Sequence, residues 1–338
     1  MELNKDVLDT VNFLPDQLWE AWEASRKVTL PESYKNFGRV LVCGMGGSAL
    51  GGRVIGHFAA DKATVSIEVS TNYNLPAYVD NQTLIIVSSY SGNTEETVSC
   101  LNQAVEKHLP VFVIAAGGKL AEMAITHSLP IYKIDPHFNP SGQPRMAVGY
   151  SIGAIFGVMA SSGVLAETDE DIKEVVSFLK KSQKILQETG EKLANAIQGK
   201  LPIFVASEHL VGAAHVMKNQ VNETAKSFSA LFDIPELNHH LMEGLKNPKE
   251  AIEKLLFVFF ESDLYHERVQ KRYPLTVDVV IKNNVQTYEL RLTGKSKLEQ
   301  VFELIQIDGY VQAYLGALYG EDPKAIPWVD YFKEKLAA

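Results

Sequence analysis

The sequence has only two cysteines, lacks any apolar run of membrane-spanning length, and carries fewer basic than acidic residues. Cys43 and Cys100 show none of the paired spacing of a metal site, so we expect reduced thiols, no bound metal and a cytoplasmic location. The longest apolar candidate, 255–260, is only strand-sized, and the first residues show no secretion signal. The net charge of −9 argues against binding to nucleic acid or to anionic membrane, although it permits a local site for one small anion.

Strand-like and helix-like segments alternate in the first half of the 338 residues, which are enough for two domains. The strand candidates in this half are 39–43, 65–69, 83–87, 111–114 and 131–134. Such alternation is typical of a doubly wound parallel sheet with helices on both faces. We therefore predict an α/β fold with an N-terminal domain at 1–165.

A charged helical segment at 166–198 is predicted to connect this domain to a second α/β domain at 199–338. The predicted strands of the second domain are 201–206, 228–231, 255–260, 277–281 and 288–292. Its predicted helices are 211–226, a helix that ends near 273, and 296–319. The two domains share the order of their elements without a residue-level repeat.

The loop at 44–52 follows the first predicted strand and opens a helix. Its glycines let the backbone approach an anion, and a helix start directs free N–H groups at it, so we select Gly46, Gly47 and Ser48 as phosphate-binding residues. The glycine spacing also fits a dinucleotide-binding turn, with Glu68 where an acid would bind a ribose. An NAD-dependent oxidoreductase is therefore one alternative, and a tight turn with a capping serine is another.

The loop at 88–97 concentrates the hydroxyls of Ser89, Ser91 and Thr94 at a second helix start. Hydroxyls and helix-end amides suit a terminal phosphate monoester, and a nucleotide fold has no need of them after its third strand. The sequence has no G-x-x-x-x-G-K-[ST] motif, which disfavours nucleoside triphosphate chemistry. The two loops together favour a site for a phosphorylated small molecule.

Both loops resemble the phosphate-binding signatures of the sugar isomerase (SIS) domain family. Four further segments are similar, in their order, to the bifunctional phosphoglucose/phosphomannose isomerases: Pro-Arg at 144–145, Asn-Glu-Thr-Ala-Lys at 222–226, Pro-Glu-Leu-Asn-His at 235–239 and Gly-Glu-Asp-Pro at 320–323. The resemblance extends from about Gly38 to the C-terminus. It implies two SIS-type domains, a phosphorylated hexose as substrate, no cofactor and a homodimer.

The resemblance also implies roles for three residues. Glu223 would be the base, Arg145 the stabiliser of an enediolate, and His239 a ring-opening acid/base supplied across the dimer interface, with the adjacent His240 as the alternative. Aldose–ketose isomerisation moves one proton between C1 and C2, so a single carboxylate can remove and return it, and a fixed cation stabilises the intermediate. Taken singly, Glu223 is also consistent with a solvent-exposed helix face. Arg145 and the two histidines are also consistent with ordinary surface positions.

Counting back from 320–323 places Tyr314 where the family has a lysine that assists ring opening. A phenol does not carry the positive charge of an ammonium group at neutral pH. The leading hypothesis is an isomerase that interconverts glucose 6-phosphate, mannose 6-phosphate or both with fructose 6-phosphate. Tyr314 keeps a second hypothesis open, a sugar-phosphate-binding or regulatory SIS protein without turnover.

Overall fold

The computed structural model describes residues 3–34 and 37–337 and contains two parallel sheets. The first part begins with helices α1 (Lys5–Asn12) and α2 (Leu14–Arg26). Its strands are β1 (Arg39–Cys43), β2 (Ser66–Ser70), β3 (Thr83–Ser88), β4 (Val111–Ala115) and β5 (Ile131–Lys133). Its other helices are α3 (Gly46–Phe58), α4 (Glu95–Glu106), α5 (Gly118–Thr126) and α6 (Val148–Ser161).

The strands of the first sheet lie in the order β2-β1-β3-β4-β5, and all neighbours are parallel. Every residue of β3 is buried, as expected for a parallel strand that is covered on both faces. Successive β1 residues alternate between two cores: Val40 lies in the core with α2, α3 and α6, whereas Leu41 lies in the core with α4 and α5. Both faces of these strands are buried in apolar cores. This burial explains why the strands are continuous apolar runs in the sequence.

A single helix of 29 residues, α7 (Asp169–Ile197), leads to the second sheet. The strands of that sheet are β6 (Leu201–Ala206), β7 (Ala230–Asp233), β8 (Leu255–Glu261) and β9 (Gln286–Arg291), in the parallel order β7-β6-β8-β9. The remaining helices are α8 (Val211–Thr224), α9 (Lys249–Ile252), α10 (Glu267–Lys282), α11 (Lys297–Tyr319) and α12 (Pro327–Ala337). Helix α11 packs between α7 and α8.

The predicted α/β architecture with two parallel sheets is confirmed, whereas the predicted strand at 277–281 is wrong. That segment belongs to α10, which continues through Pro274. Its buried residues recur at helical spacing, so the β-branched run is the buried face of an amphipathic helix: Val269, Tyr273, Thr276, Val277 and Val280. The domain boundaries at 165 and 198 stay predictions. Within the described ranges, no helix is long and apolar enough to cross a membrane.

Candidate active site

The candidate site lies at the switch point of the first sheet, between β1 and β3, from which successive strands are added in opposite directions. Strands β1 and β3 lie side by side, with β2 beyond β1 and β4 beyond β3. In open parallel sheets, the carboxyl ends of two such strands border a crevice that binds ligands. Both predicted phosphate loops follow these strands, so the fold places them at one crevice.

One hydrogen bond joins the two loops directly. The backbone N–H of Tyr90 donates to Ser48 Oγ at 3.0 Å. Within the second loop, Ser89 Oγ lies 2.8 Å from Thr94 Oγ1, and the N–H of Gly92 donates to Ser89 Oγ at 3.1 Å. The two loops are therefore bonded to each other, and two hydroxyls of the second loop are bonded together.

Two helices begin at this crevice without a side-chain cap. Gly46 is the first residue of α3, and Thr94 precedes the first residue of α4, yet neither helix start receives a capping hydrogen bond from a side chain. The exposed Ser91 accepts a hydrogen bond from the N–H of Asn93 at 3.3 Å. First-turn N–H groups have no partner within a helix, so uncapped starts beside hydroxyl groups are suited to an anion.

Two glycines in these loops are required by close backbone contacts. Gly92 has φ +71°, and a Cβ on it would lie 1.8 Å from the carbonyl oxygen of Gly117. A Cβ on Gly47 would lie 2.9 Å from Arg145 Cα and 3.3 Å from its backbone nitrogen. The first phosphate loop therefore packs directly on the backbone of Arg145.

The short helical turn Pro144–Met146 carries Arg145, whose side chain is only 3% exposed. Its Nη1 lies 3.3 Å from Glu223 Oε1 on α8, and its Nε donates to Thr224 Oγ1 at 3.0 Å. Burial lowers the pKa of Arg145, and the charges of Glu223 and Asp322 oppose that shift. Glu223 is 32% exposed, so a fixed cation lies beside a carboxylate that a ligand can reach.

All five N–H groups of the Arg145 guanidinium have acceptors. Besides Glu223 and Thr224, these are Gln143 Oε1 at 2.8 Å and the carbonyl oxygens of Pro323 at 2.5 Å and Lys324 at 3.4 Å. The segment before α12 is thereby fixed over the site. Because no donor is free, a ligand oxygen must replace one of these acceptors before it can bind Arg145.

His239 ends a short helical turn, Glu236–His239, and both His239 and His240 are exposed. In the described part of the chain, neither histidine forms a hydrogen bond or ion pair with Arg145 or Glu223. The hydrogen bonds and ion pairs of the described residues therefore do not link these histidines to Arg145 and Glu223.

Tyr314 lies on α11 and is buried against α7. Its phenol oxygen accepts a hydrogen bond from Gln187 Nε2 on α7 at 2.9 Å. A different face of α11, which carries Gly316, approaches Thr224 on α8. These contacts direct Tyr314 toward α7 rather than toward the ion pair.

Glu68, the acid of the dinucleotide alternative, already has partners. Its carboxylate accepts a hydrogen bond from the Tyr78 hydroxyl, and its Oε1 lies 3.9 Å from Arg39 Nε. The acid of the oxidoreductase hypothesis is thus engaged by two neighbouring side chains, and that hypothesis stays a prediction. No cluster of three or more metal-ligating side chains occurs among residues 3–34 and 37–337.

Sequence reasoning missed two amide side chains that support Arg145, of which Gln220 is buried. Gln143 contacts its side chain, and Gln220 Nε2 donates to its carbonyl oxygen at 2.6 Å. Gln220 lies between Met217 and Val221 on the apolar side of α8. A lone amide in an otherwise apolar stripe was the signal that could have identified it.

Comparison with known proteins gives consistent results. Residues 186–336 match the family described as the bacterial phospho-glucose isomerase C-terminal SIS domain. The bifunctional phosphoglucose/phosphomannose isomerase of Caldicellulosiruptor bescii is 32% identical, over 98% of this chain and 99% of that protein. The protein of the same name from Aquifex aeolicus is 30% identical, over 93% and 94%. The tagatose-6-phosphate ketose/aldose isomerase of Escherichia coli shares the fold, with a TM-score of 0.71, 17% identity and coverage of 96% and 97%.

Proposed function

Because this chain belongs to the bifunctional phosphoglucose/phosphomannose isomerase family, we propose that its crevice is where the hexose phosphate is isomerised. The protein interconverts glucose 6-phosphate and mannose 6-phosphate with fructose 6-phosphate. One observation supports the assignment most: the phosphate loop contacts the backbone of Arg145 through Gly47, and the side chain of Arg145 contacts Glu223. Phosphate-binding groups, cation and carboxylate thus lie next to one another.

In this proposal, the phosphate binds to hydroxyls and helix-start amides of the two loops. The residues are Gly46, Gly47, Ser48, Ser89, Ser91 and Thr94. The sugar then extends from the loops toward α8, where Glu223 removes the C2 proton of the aldose. The electron pair left at C2 forms the C1–C2 double bond of a cis-enediolate as the carbonyl π pair moves to O1. The proton of the O2 hydroxyl passes to O1, and the C2=O bond forms as Glu223 returns its proton to C1, which completes the ketose.

The ion pair between Arg145 and Glu223 would open during this reaction. Glu223 is one-third exposed, so it can turn from the guanidinium to the substrate, and its departure frees an N–H of Nη1. That N–H then meets the oxygen on which negative charge develops. A donor that is already held in place needs little reorganisation, which is the basis of electrostatic stabilisation of a transition state.

Ring opening is assigned to His239 of a second protomer, with His240 as the alternative; Tyr314, whose hydroxyl bonds Gln187 on α7, would reach the sugar only after turning from that partner. The exposure of His239 supports this assignment, because a residue that acts across an interface must lie on the surface of its own protomer. We propose a homodimer for the same reason. The two free, buried cysteines suit a reducing cytoplasm.

The test is the conversion of fructose 6-phosphate to glucose 6-phosphate through a coupled dehydrogenase, with a parallel mannose 6-phosphate arm. Glu223→Gln should lower turnover by about 10²–10⁴-fold and leave ligand binding nearly intact. Glu188→Gln, on the exposed face of α7, is the matched control and should keep full activity. An active Glu223→Gln variant would exclude Glu223 as the base. Binding without turnover in the wild type would select the non-catalytic alternative.

A further inference from the structure

A series of buried amide hydrogen bonds leads from α11 to the backbone of Arg145. Gln312 Nε2 donates to Gln220 Oε1 on α8, and Gln220 Nε2 donates to the carbonyl oxygen of Arg145 at 2.6 Å. The exposed fractions are 1% for Gln312 and 2% for Gln220. Three elements that are distant in sequence are thus joined through two side chains.

The turn that carries Arg145 is held on two sides. Gly47 packs against the backbone of Arg145, where even a methyl group would not fit, and Gln220 binds its carbonyl oxygen. Two buried amides are unfavourable in a core unless they are hydrogen-bonded, whereas apolar side chains of similar size carry no such requirement. The hydrogen-bonded pair of Gln220 and Gln312 therefore defines the position of the Arg145 turn more than it stabilises the fold.

We infer that Gln220 and Gln312 are positioning residues that hold the Arg145 turn against the phosphate loop. Through that turn, they fix the distance between the guanidinium and Glu223. The inference rests on the proposed function, because the positioned group is the cation assigned to the enediolate.

Asp308 lies at the far end of this series, one helical turn before Gln312. It is fully buried, and both of its carboxyl oxygens lack hydrogen-bond partners among the described residues, as does Gln312 Oε1. Burial raises the pKa of Asp308 well above its usual range, because a low-polarity environment disfavours the charged carboxylate. Asp308 precedes Gln312 by four residues, so both side chains lie on the same face of α11.

The first test replaces Gln220 by methionine, which has a similar volume and cannot donate a hydrogen bond. The matched control is Gln306→Met, because Gln306 is a buried amide on α11 that bonds Val11 O at 3.3 Å and has no contact with Arg145. Gln220→Met should lower kcat for fructose 6-phosphate by about 10- to 100-fold, with KM within about twofold. Gln306→Met should leave kcat within about twofold of the wild-type value. Its unfolding midpoint should shift by about as much as that of Gln220→Met.

A double-variant cycle tests whether the amides act in series. Gln312→Met should also lower kcat, and adding it to Gln220→Met should lower kcat no further, because the connection is already broken. Independent, additive losses would overturn the series. If Gln220→Met does not fold, comparing Gln312→Met with Gln306→Met tests the same point.

Amide hydrogen exchange gives a readout that does not depend on turnover. The N–H groups of Met146 and Ala147 bond to the carbonyl oxygens of Gln143 and Pro144, and they report on the stability of the turn. Their protection should fall in Gln220→Met and not in Gln306→Met; unchanged protection or unchanged kcat would overturn the inference. A wild type without isomerase activity refutes the proposed function instead, and the exchange comparison still decides whether the amides hold the turn.

Discussion

The contact between Gly47 and Arg145 predicts that one added methyl group on Gly47 will displace the Arg145 turn and lower isomerase activity. In Gly47→Ala, the new Cβ would lie 2.9 Å from Arg145 Cα, and the other close atoms also belong to the backbone, so no side chain can rotate away. Carbon atoms in contact need about 3.5–4.0 Å, so the Arg145 turn must move by about 1 Å. A displacement of about 1 Å can lower activity by about 100-fold. We expect a loss of this size in kcat/KM.

The assay is isomerisation of fructose 6-phosphate, measured together with the thermal unfolding midpoint. Overpacking of this kind costs about 1–3 kcal/mol of stability, which leaves a protein of this size folded at the assay temperature. The control is Gly38→Ala, because a Cβ at Gly38 meets nothing within 4 Å. A folded Gly47→Ala variant with kcat/KM within twofold of the wild type would refute the reasoning, since the loop and the Arg145 turn would then not act as one rigid unit.

Two further predictions concern the dimer and the buried acid. A heterodimer of one Glu223→Gln and one His239→Ala protomer, purified through two different tags, should recover about half of the wild-type activity, because one of its two sites then has both residues. Activity no higher than that of the single variants would show that His239 does not act across an interface. Burial raises the folded-state pKa of Asp308 above 3.8, so its contribution to stability is present at low pH and is lost as the pH rises from about 4 toward the folded-state pKa. Relative to the wild type, Asp308→Asn should therefore gain unfolding free energy in urea titrations between pH 5 and pH 8, by at most about 1.4 kcal/mol per pH unit. A gain that is the same at both pH values would contradict the buried, protonated state.

The misassigned segment of α10 shows where local patterns mislead. Pro274 favours the end of a helix, and the β-branched residues that follow it favour a strand. Helical spacing of the buried positions is visible only once the core face is known. Burial against the sheet outweighed the local preference, since helix stability comes mostly from packing of an amphipathic face.

The sequence by itself determined the features that are local. Continuous apolar runs specified the parallel strands, and glycines with hydroxyl residues after two of those strands marked the two loops at their carboxyl ends that we propose for anion binding. A strand, a helix start and a loop each form from neighbouring residues, so a linear pattern is enough to predict them.

Only the tertiary structure decided which side chains meet. The ion pair between Arg145 and Glu223 joins positions 78 residues apart, and the bond between Gln220 and Gln312 joins positions 92 apart. The resemblance implied roles for Arg145 and Glu223, but nothing in the sequence indicated that every donor of Arg145 is occupied or that buried amides hold its turn. Such contacts depend on how α8 packs against α3 and α11. That packing is set by the shapes of many buried side chains together, which no short pattern of residues encodes.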